Sequence, residues 1–301
     1  MLPIIIVTYN NAQTITDCLV SVWHELGSQA SIIVVDNRSM DATVNRVEEF
    51  RAAHPDSTIQ LIRNDANIGF ARAVNQGVAA AIAQRKFSTS LEHERSSSSS
   101  ANREAPYFLL LNPDALLTPG CIATLVQELN ADPQIGVIAP KLTGADGELR
   151  LSIGRYPTWR RVIAGAFKRR SRYGWIEYTA HEYEYPHTVS WAAATCWLVR
   201  AKTWEDLGGF DEQFFLYIED VDFCHRALTT RWRIYFTPHA SIIHHQQGSA
   251  APIIIKANKW ELNGLLYYLS KHYPTQPLRQ AFVSWVLMTK WRLKKLLVRN
   301  R

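Results

Sequence analysis

Four cysteines are spread through 301 residues, at Cys18, Cys121, Cys196 and Cys224, and no two form a CxxC pair. That excludes a zinc ribbon, argues against a disulfide framework and suits a reducing compartment. There is no GxxxxGK[ST] loop and no GxGxxG after the first apolar run, so P-loop ATPases and Rossmann dehydrogenases lose their anchors; a missing Gly-x-Ser-x-Gly elbow removes the α/β-hydrolases. No apolar run reaches the roughly 18 residues of a spanning helix. Leu2–Val7 begins the chain without a basic flank or cleavage site, so a cytoplasmic location is expected. Lys and Arg number 33 against 27 acids. The excess of six equals Lys290, Arg292, Lys294, Lys295, Arg299 and Arg301 at the acid-free C-terminus. The remainder is neutral, which excludes a broad nucleic-acid footprint and points to a local basic element.

What is present is alternation. Short apolar runs at Leu2–Val7, Ile32–Val35, Ile59–Ile62, Tyr107–Leu111 and Ile135–Ala139 read as strands. Helical patterns over Ala12–Leu26, Asp41–Ala53, Ala71–Gln84 and Pro119–Asn130, the last with Pro in its first turn, separate them. Such βαβ units predict an α/β fold with a mostly parallel central sheet flanked by helices. Ligands then bind beyond the carboxyl ends of the strands, where Thr8-Tyr9-Asn10, Asp36-Asn37, Asn64-Asp65 and Asn112-Pro113-Asp114 fall. One domain is expected over 1–250, with a Ser-rich surface insertion at 86–106 and an irregular, basic and aromatic segment at 155–186. The latter reads as an acceptor-facing segment or a solvated loop. A helical, basic extension is expected over 251–301.

Several motifs carry chemistry, each with a second reading. Asp36-Asn37-Arg38-Ser39-Met40-Asp41 ends a strand and opens a helix. A carboxylate there suits a nucleotide base or ribose, and capping by Ser39 or Asp41 would also account for it. In Leu109–Asp114 an apolar strand delivers a carboxylate that suits a divalent cation between diphosphate oxygens; Asn-Pro-Asp is equally good turn chemistry. His244-His245 follows the predicted strand Ser241–Ile243, where imidazole could add a metal ligand or serve structure alone. In Gly208–Asp222 a Gly-Gly turn and an aromatic cluster precede Glu219, Asp220 and Asp222. Carboxylates in so apolar a run suggest a general base at the mouth of a helix, with Glu219 and Asp222 on one face. Acids also favour helix N-termini for their own sake.

The order of these motifs resembles the family 2 glycosyltransferases, in their rhamnosyltransferase-like branch. It is carried by Val7-Thr8-Tyr9-Asn10, Val35–Ser39, Asn67-Ile68-Gly69-Phe70-Ala71 with Asn75-Gln76-Gly77, Leu111–Asp114, and Gly208–Glu212 through Glu219–Asp222. The resemblance implies a GT-A fold and inverting transfer from a nucleotide diphosphate sugar, with dTDP-rhamnose expected, to a glycan or lipid-linked acceptor. It places Thr8, Tyr9, Asn10, Asp36 and Asn37 around the nucleotide, and Asn67, Gly69 and Asn75 beside ribose and phosphates. Asn112 stands where the family's DxD motif has its first acid, so Asp114 would carry Mg²⁺ or Mn²⁺, with His244 (or its neighbour His245) as a late ligand. Asp220 matches the general base, with Glu219, Asp222 and Trp191 on the acceptor side. Arg72, Met40, Ala42 and the serine insertion depart from the branch pattern. A nucleotidylyltransferase would need a Gly-rich, Arg-containing loop after the first strand, which Thr8-Tyr9-Asn10-Asn11 is not. A non-catalytic carbohydrate-binding or scaffold module is opposed by the retention of Asp114 and Asp220.

Beyond residue 281, Phe282, Trp285, Val286, Thr289, Leu293, Leu296 and Leu297 share one helical face, with the six basic residues opposite. This pattern resembles an interfacial helix, drawn to anionic lipid at the inner face of a membrane. A packed helix with a solvated basic face has the same pattern. Co-sedimentation with anionic liposomes is expected for the full chain and not for one truncated before Phe282; equal pelleting of the two would remove the membrane reading.

Overall fold

The computed structural model describes residues 1–93, 107–167, 179–245 and 254–274, together with Ala281, Phe282, Trp285 and Thr289. The first half of the chain alternates as its pattern requires: β1 (Leu2–Thr8), α1 (Ile15–Leu26), β2 (Ala30–Asp36), α2 (Thr43–Ala53), β3 (Thr58–Arg63), α3 (Phe70–His93) and β4 (Tyr107–Leu111). Then come β5 (Ala115–Leu117), α4 (Cys121–Ala131), β6 (Ile135–Thr143), β7 (Leu149–Arg150), β8 (Ile153–Gly154) and α5 (Trp159–Phe167). The remainder is β9 (His187–Thr188), β10 (Trp191–Ala192), β11 (Cys196–Arg200), α6 (Ala201–Leu207), α7 (Glu219–Ala227), β12 (Arg233–His244) and α8 (Ile254–His272).

The main sheet runs β3-β2-β1-β4-β11-β6-β12-β5, with β7 and β9 paired at its margins. Only β11 and β5 oppose the common direction along that path. Every residue of β1 and β2 is buried, as parallel strands covered on both faces must be. Alternation divides the core. Ile5, Val7, Ile33 and Val35 face α3 and join a cluster reaching α6, α7 and α8. Ile4, Ile6, Ile32 and Val34 face α1, α2 and α4. The strand order reverses between β1 and β4, so the carboxyl ends of β1, β2 and β4 open onto one crevice.

Three sequence expectations are modified. Pro119 precedes α4 rather than entering its first turn, because Gly120, left-handed at φ 78°, is the cap from which the helix starts. Helix α3 runs past Gln84 to His93, so the insertion expected from residue 86 begins as helix; residues 94–106 lie outside the described ones. The 155–186 segment is not a solvated loop throughout. Trp159 and Val162 on α5 and Tyr183 are buried in the main core, and the Tyr156 hydroxyl donates to the Cys224 carbonyl at 2.8 Å. Helix α8 also belongs to that core through Leu265, Tyr268 and Leu269.

Close approach of α3 to the sheet depends on Gly77. A Cβ there would sit 2.6 Å from Ile5 Cγ2 and 3.2 Å from Val35 Cγ2, both in fully packed strands. Gly77→Ala is expected to destabilise the protein by about 1–3 kcal/mol through overpacking, read as a lower urea midpoint; an unchanged midpoint would show that the helix can shift.

Candidate active site

The loops leaving β1 and β2 are laced together at the crevice. Asp36 is buried, and its carboxylate accepts hydrogen bonds from Thr8 Oγ1 at 2.9 Å, the Ser39 amide at 2.9 Å and Ser39 Oγ at 2.5 Å. Asn10, at φ 58°, donates its amide to Ser39 Oγ and accepts from the Met40 amide through Oδ1. Tyr9 is held by its amide on Asn11 Oδ1. Asp41, one residue before the Ala42 cap of α2, accepts from the amides of Thr43 and Ala12. Thr8, Tyr9, Asn10, Asp36 and Asn37 are thus brought to one wall.

An amide chain extends that wall. Asn37 Nδ2 donates to the Gly69 carbonyl, Asn64 Nδ2 to Asn37 Oδ1, and Asn64 exchanges two bonds with Gln76. Asn67 Oδ1 accepts from the Gly69 amide at 3.0 Å. Asn75, expected beside ribose, spends its amide elsewhere: Nδ2 donates to the Phe210 carbonyl and Glu212, and Oδ1 accepts from the Phe210 amide. It fastens the Gly208–Glu212 loop, which Arg72 also holds through Glu212 at 3.1 Å. The departure at Arg72 therefore has a partner in the same loop.

Asn112, Pro113, Asp114 and Ala115 form a turn closed by the Ala115 amide on the Asn112 carbonyl at 3.2 Å. The two readings of that motif coincide, because the turn is what delivers Asp114. Its carboxylate is 5% exposed and lies 3.3 Å from His244 Nε2. His244 ends β12 opposite Ala115, whereas His245 reaches Asp114 through its backbone amide. Among the described residues no three His, Cys, Asp or Glu side chains group to hold a metal unaided. Asp114 and His244 offer one oxygen and one nitrogen donor, the side chains that would hold a divalent cation there.

The acids of α7 diverge. Partly buried Asp220 accepts from the Val221 amide at 2.8 Å and the Ala194 amide at 3.3 Å. Desolvation pushes its carboxyl up to about 6 against those two donors. Glu219 is 4% exposed and its Oε2 has no hydrogen-bond partner; desolvation and then the charge of Asp220 raise it well above the usual range. Asp222 has no exposed surface and faces the other way, toward α8. It pairs with Arg226 Nε, Lys271 Nζ and His272 Nε2, each at 2.8 Å. Burial alone would raise the Asp222 carboxyl, but His272, Arg226 and Lys271 outweigh it and hold it down at about 2. Trp191 is likewise buried, its ring over Gly154 and its Nε1 on the Arg155 carbonyl at 3.0 Å.

Two connections went unseen in the sequence. Thr195 accepts the Asn112 amide at 2.9 Å while its neighbour Ala194 donates to Asp220, so one dipeptide spans from the Asp114 turn to Asp220. On the other side, the Phe70 amide donates to the Phe215 carbonyl at 2.7 Å, and a Cβ on Gly69 would lie 2.6 Å from that oxygen. Phe215 leads into Tyr217 and Ile218, at φ 71° and 74°. A left-handed β-branched residue is rare and costs of order 1–3 kcal/mol, strain that gathers at functional sites.

The Glycosyl transferase family 2 model matches residues 4–208. N-acetylglucosaminyl-diphospho-decaprenol L-rhamnosyltransferase of Mycobacterium tuberculosis is 27% identical over 255 residues, covering 83% of this chain and 77% of that protein. Among solved structures, a mannosyltransferase from Pyrobaculum calidifontis in complex with GDP-Man and Mn²⁺ superposes with a TM-score of 0.55 at 17% identity, covering 96% of this chain and 73% of the other. S. aureus TarS 1–349 with UDP-GlcNAc gives 0.54 at 16% identity, covering 91% and 73%. The fold is the GT-A type expected from the motifs.

Because the Asp222 carboxyl is depressed, its contribution to stability is complete above its ordinary value near 3.9 and is lost as pH falls toward about 2. Removing one partner of a buried ion pair costs about 3–5 kcal/mol. The Tm of Asp222→Asn is therefore expected to lie well below wild type at neutral pH, with the gap closing between about pH 4 and 2. A gap of constant size across that range would contradict the ionic account.

Proposed function

The chain belongs to glycosyltransferase family 2, and on that premise we propose that it is an inverting enzyme that moves rhamnose from dTDP-rhamnose to a glycan or lipid-linked acceptor in cell-surface polysaccharide synthesis. As a family member it is a nucleotide-sugar-dependent glycosyltransferase. The choice of rhamnose and of a lipid-linked acceptor is supported by the name of the mycobacterial relative. The one observation that carries the mechanism is the Ala194–Thr195 bridge, which holds the proposed base Asp220 in fixed relation to the turn bearing Asp114.

Displacement at an anomeric carbon needs the acceptor hydroxyl deprotonated as it attacks. Asp220 is suited to that: with a carboxyl near 6 it is ionised at neutral pH yet more basic than an ordinary aspartate. The Ala194 and Val221 amides hold the carboxylate in place through the transfer. Asp36, held by Thr8 and Ser39, is proposed to read the pyrimidine, with Tyr9, Asn10 and Asn37 alongside. Asn67 and Gly69 shape the ribose and phosphate side, and Asn75 acts there through the loop it fastens. Glu219 and Trp191 shape the acceptor side from beneath. Asp114 and His244 would hold Mg²⁺ or Mn²⁺, whose chemistry is to offset charge on the departing diphosphate. Contact of 282–301 with a membrane would bring a lipid-linked acceptor near; Phe282 and Trp285 are both exposed, with ring centroids 6.5 Å apart. Among the described residues no helix is long and apolar enough to cross a membrane.

Turnover across a panel of dTDP- and UDP-sugars tests the reading. Asp220→Asn is expected to lower kcat by about 10²-fold or more, the usual share of a general base, with donor Kd unchanged. Asp114→Ala is expected to abolish the stimulation by Mg²⁺ or Mn²⁺. Near-normal turnover by folded Asp220→Asn would sink the assignment. In wild type the acid limb of kcat should fall away below about pH 6, as Asp220 takes up its proton.

A further inference from the structure

Helix α8 reaches the proposed base from behind. Asp220 and Asp222 are two residues apart, so on a helix of 3.6 residues per turn they lie about 200° apart. Whatever grips Asp222 therefore sets which way Asp220 points. Asp222 is gripped on every side that faces it. Arg226 comes from its own helix and also donates to the carbonyls of Leu207 and Gly209. Lys271 and His272 come from α8, and Lys271 is shared with Asp211 at 2.6 Å. Behind His272 the His225 ring stacks at 4.0 Å and hydrogen-bonds Tyr268.

The same helix covers the strained turn. A Cβ on Gly264 would lie 3.1 Å from the Tyr217 carbonyl, so α8 passes close over it. Trp260 packs against Phe215 with ring centroids 4.6 Å apart and Tyr267 against Phe214 at 5.0 Å, both pairs tilted. The Asp222 amide donates to the Ile218 carbonyl at 2.9 Å, closing the first turn of α7 over Asp220. One end of the turn is thus pressed by α8, and the other is tied to it through a carboxylate.

We propose that Asp222, clamped by Lys271 and His272 of α8, is a positioning residue that turns the Asp220 carboxylate into the cleft, so that α8 is part of the machinery that activates the acceptor. Asp222 does not touch substrate; it acts through Asp220. The proposal rests on the assignment of Asp220 as base.

The test pairs kinetics with hydrogen exchange on the full chain, using Asp222→Asn and, should that variant fold poorly, His272→Ala. Amides of 214–222 are expected to exchange faster in the variants by at least about tenfold more than those of β1 and β2, which report only the loss of global stability. kcat should fall roughly 10- to 100-fold, as expected of misplacing a reacting group by about 1 Å, with donor Kd within about twofold and a shifted acid limb in the pH profile of kcat. Unchanged exchange, or faster exchange with unchanged kcat and pH profile, would overturn the proposal while leaving the function intact. A wild-type protein that binds donor and transfers nothing would overturn the function, and this proposal with it.

Discussion

A carboxylate shut away from water must be matched by charge or it will not stay ionised, and Asp222 is such a group. Two cationic side chains and the His272 imidazole meet it, two of the three from a helix more than forty positions later in the chain. Arg226 and Lys271 each hold a second partner, on the Gly208-Gly209 turn and on Asp211. Loop, helix start and C-terminal helix are therefore one ionic unit. Tyr217 and Ile218 can be kept left-handed because this unit over-determines the backbone between them and α7.

The parallel sheet supplies the other half of the arrangement. The register pairs Thr8 with Asp36 at the ends of β1 and β2, which places hydroxyl and carboxylate in contact without help from any loop. β4 ends beside them, and its turn carries Asp114 to His244 at the end of β12. Antiparallel β11 lies between β4 and β6, so the Ala194–Thr195 bridge that precedes it arrives at the same edge. Parallel strands deliver the groups proposed to hold the donor; the antiparallel insertion ties them to the base.

The βα alternation and the crevice were legible because β1, β2 and β4 carry continuous apolar runs with a polar residue at or just past their ends. Asp114 and His244 are named from their motifs, and the structure places the His244 imidazole 3.3 Å from the Asp114 carboxylate. The two-residue strands β7–β10 were not legible, since a strand so short has no periodicity. Nor could sequence reveal that Asp222 and Asn75 face inward: two of Asp222's three partners lie on α8, and Asn75 is 135 residues from Phe210. Pro119 misled because Gly120 can adopt a positive φ that moves the helix start by a residue. Trp191 is expected on the acceptor side from the motif order; its burial over Gly154 has no signal in the sequence.

The contact of Gly69 and Phe70 with the Phe215 carbonyl has an evolutionary consequence. A backbone hydrogen bond and a missing side chain join the loop on the proposed donor side to the loop that leads to the proposed base. Changes on either side are felt on the other, and residues so joined do not contribute independently. The two loops are therefore bound to drift together: a lineage that remodels Asn67–Phe70 must find compensating changes around Phe215, so the two sides of the crevice are inherited as one unit.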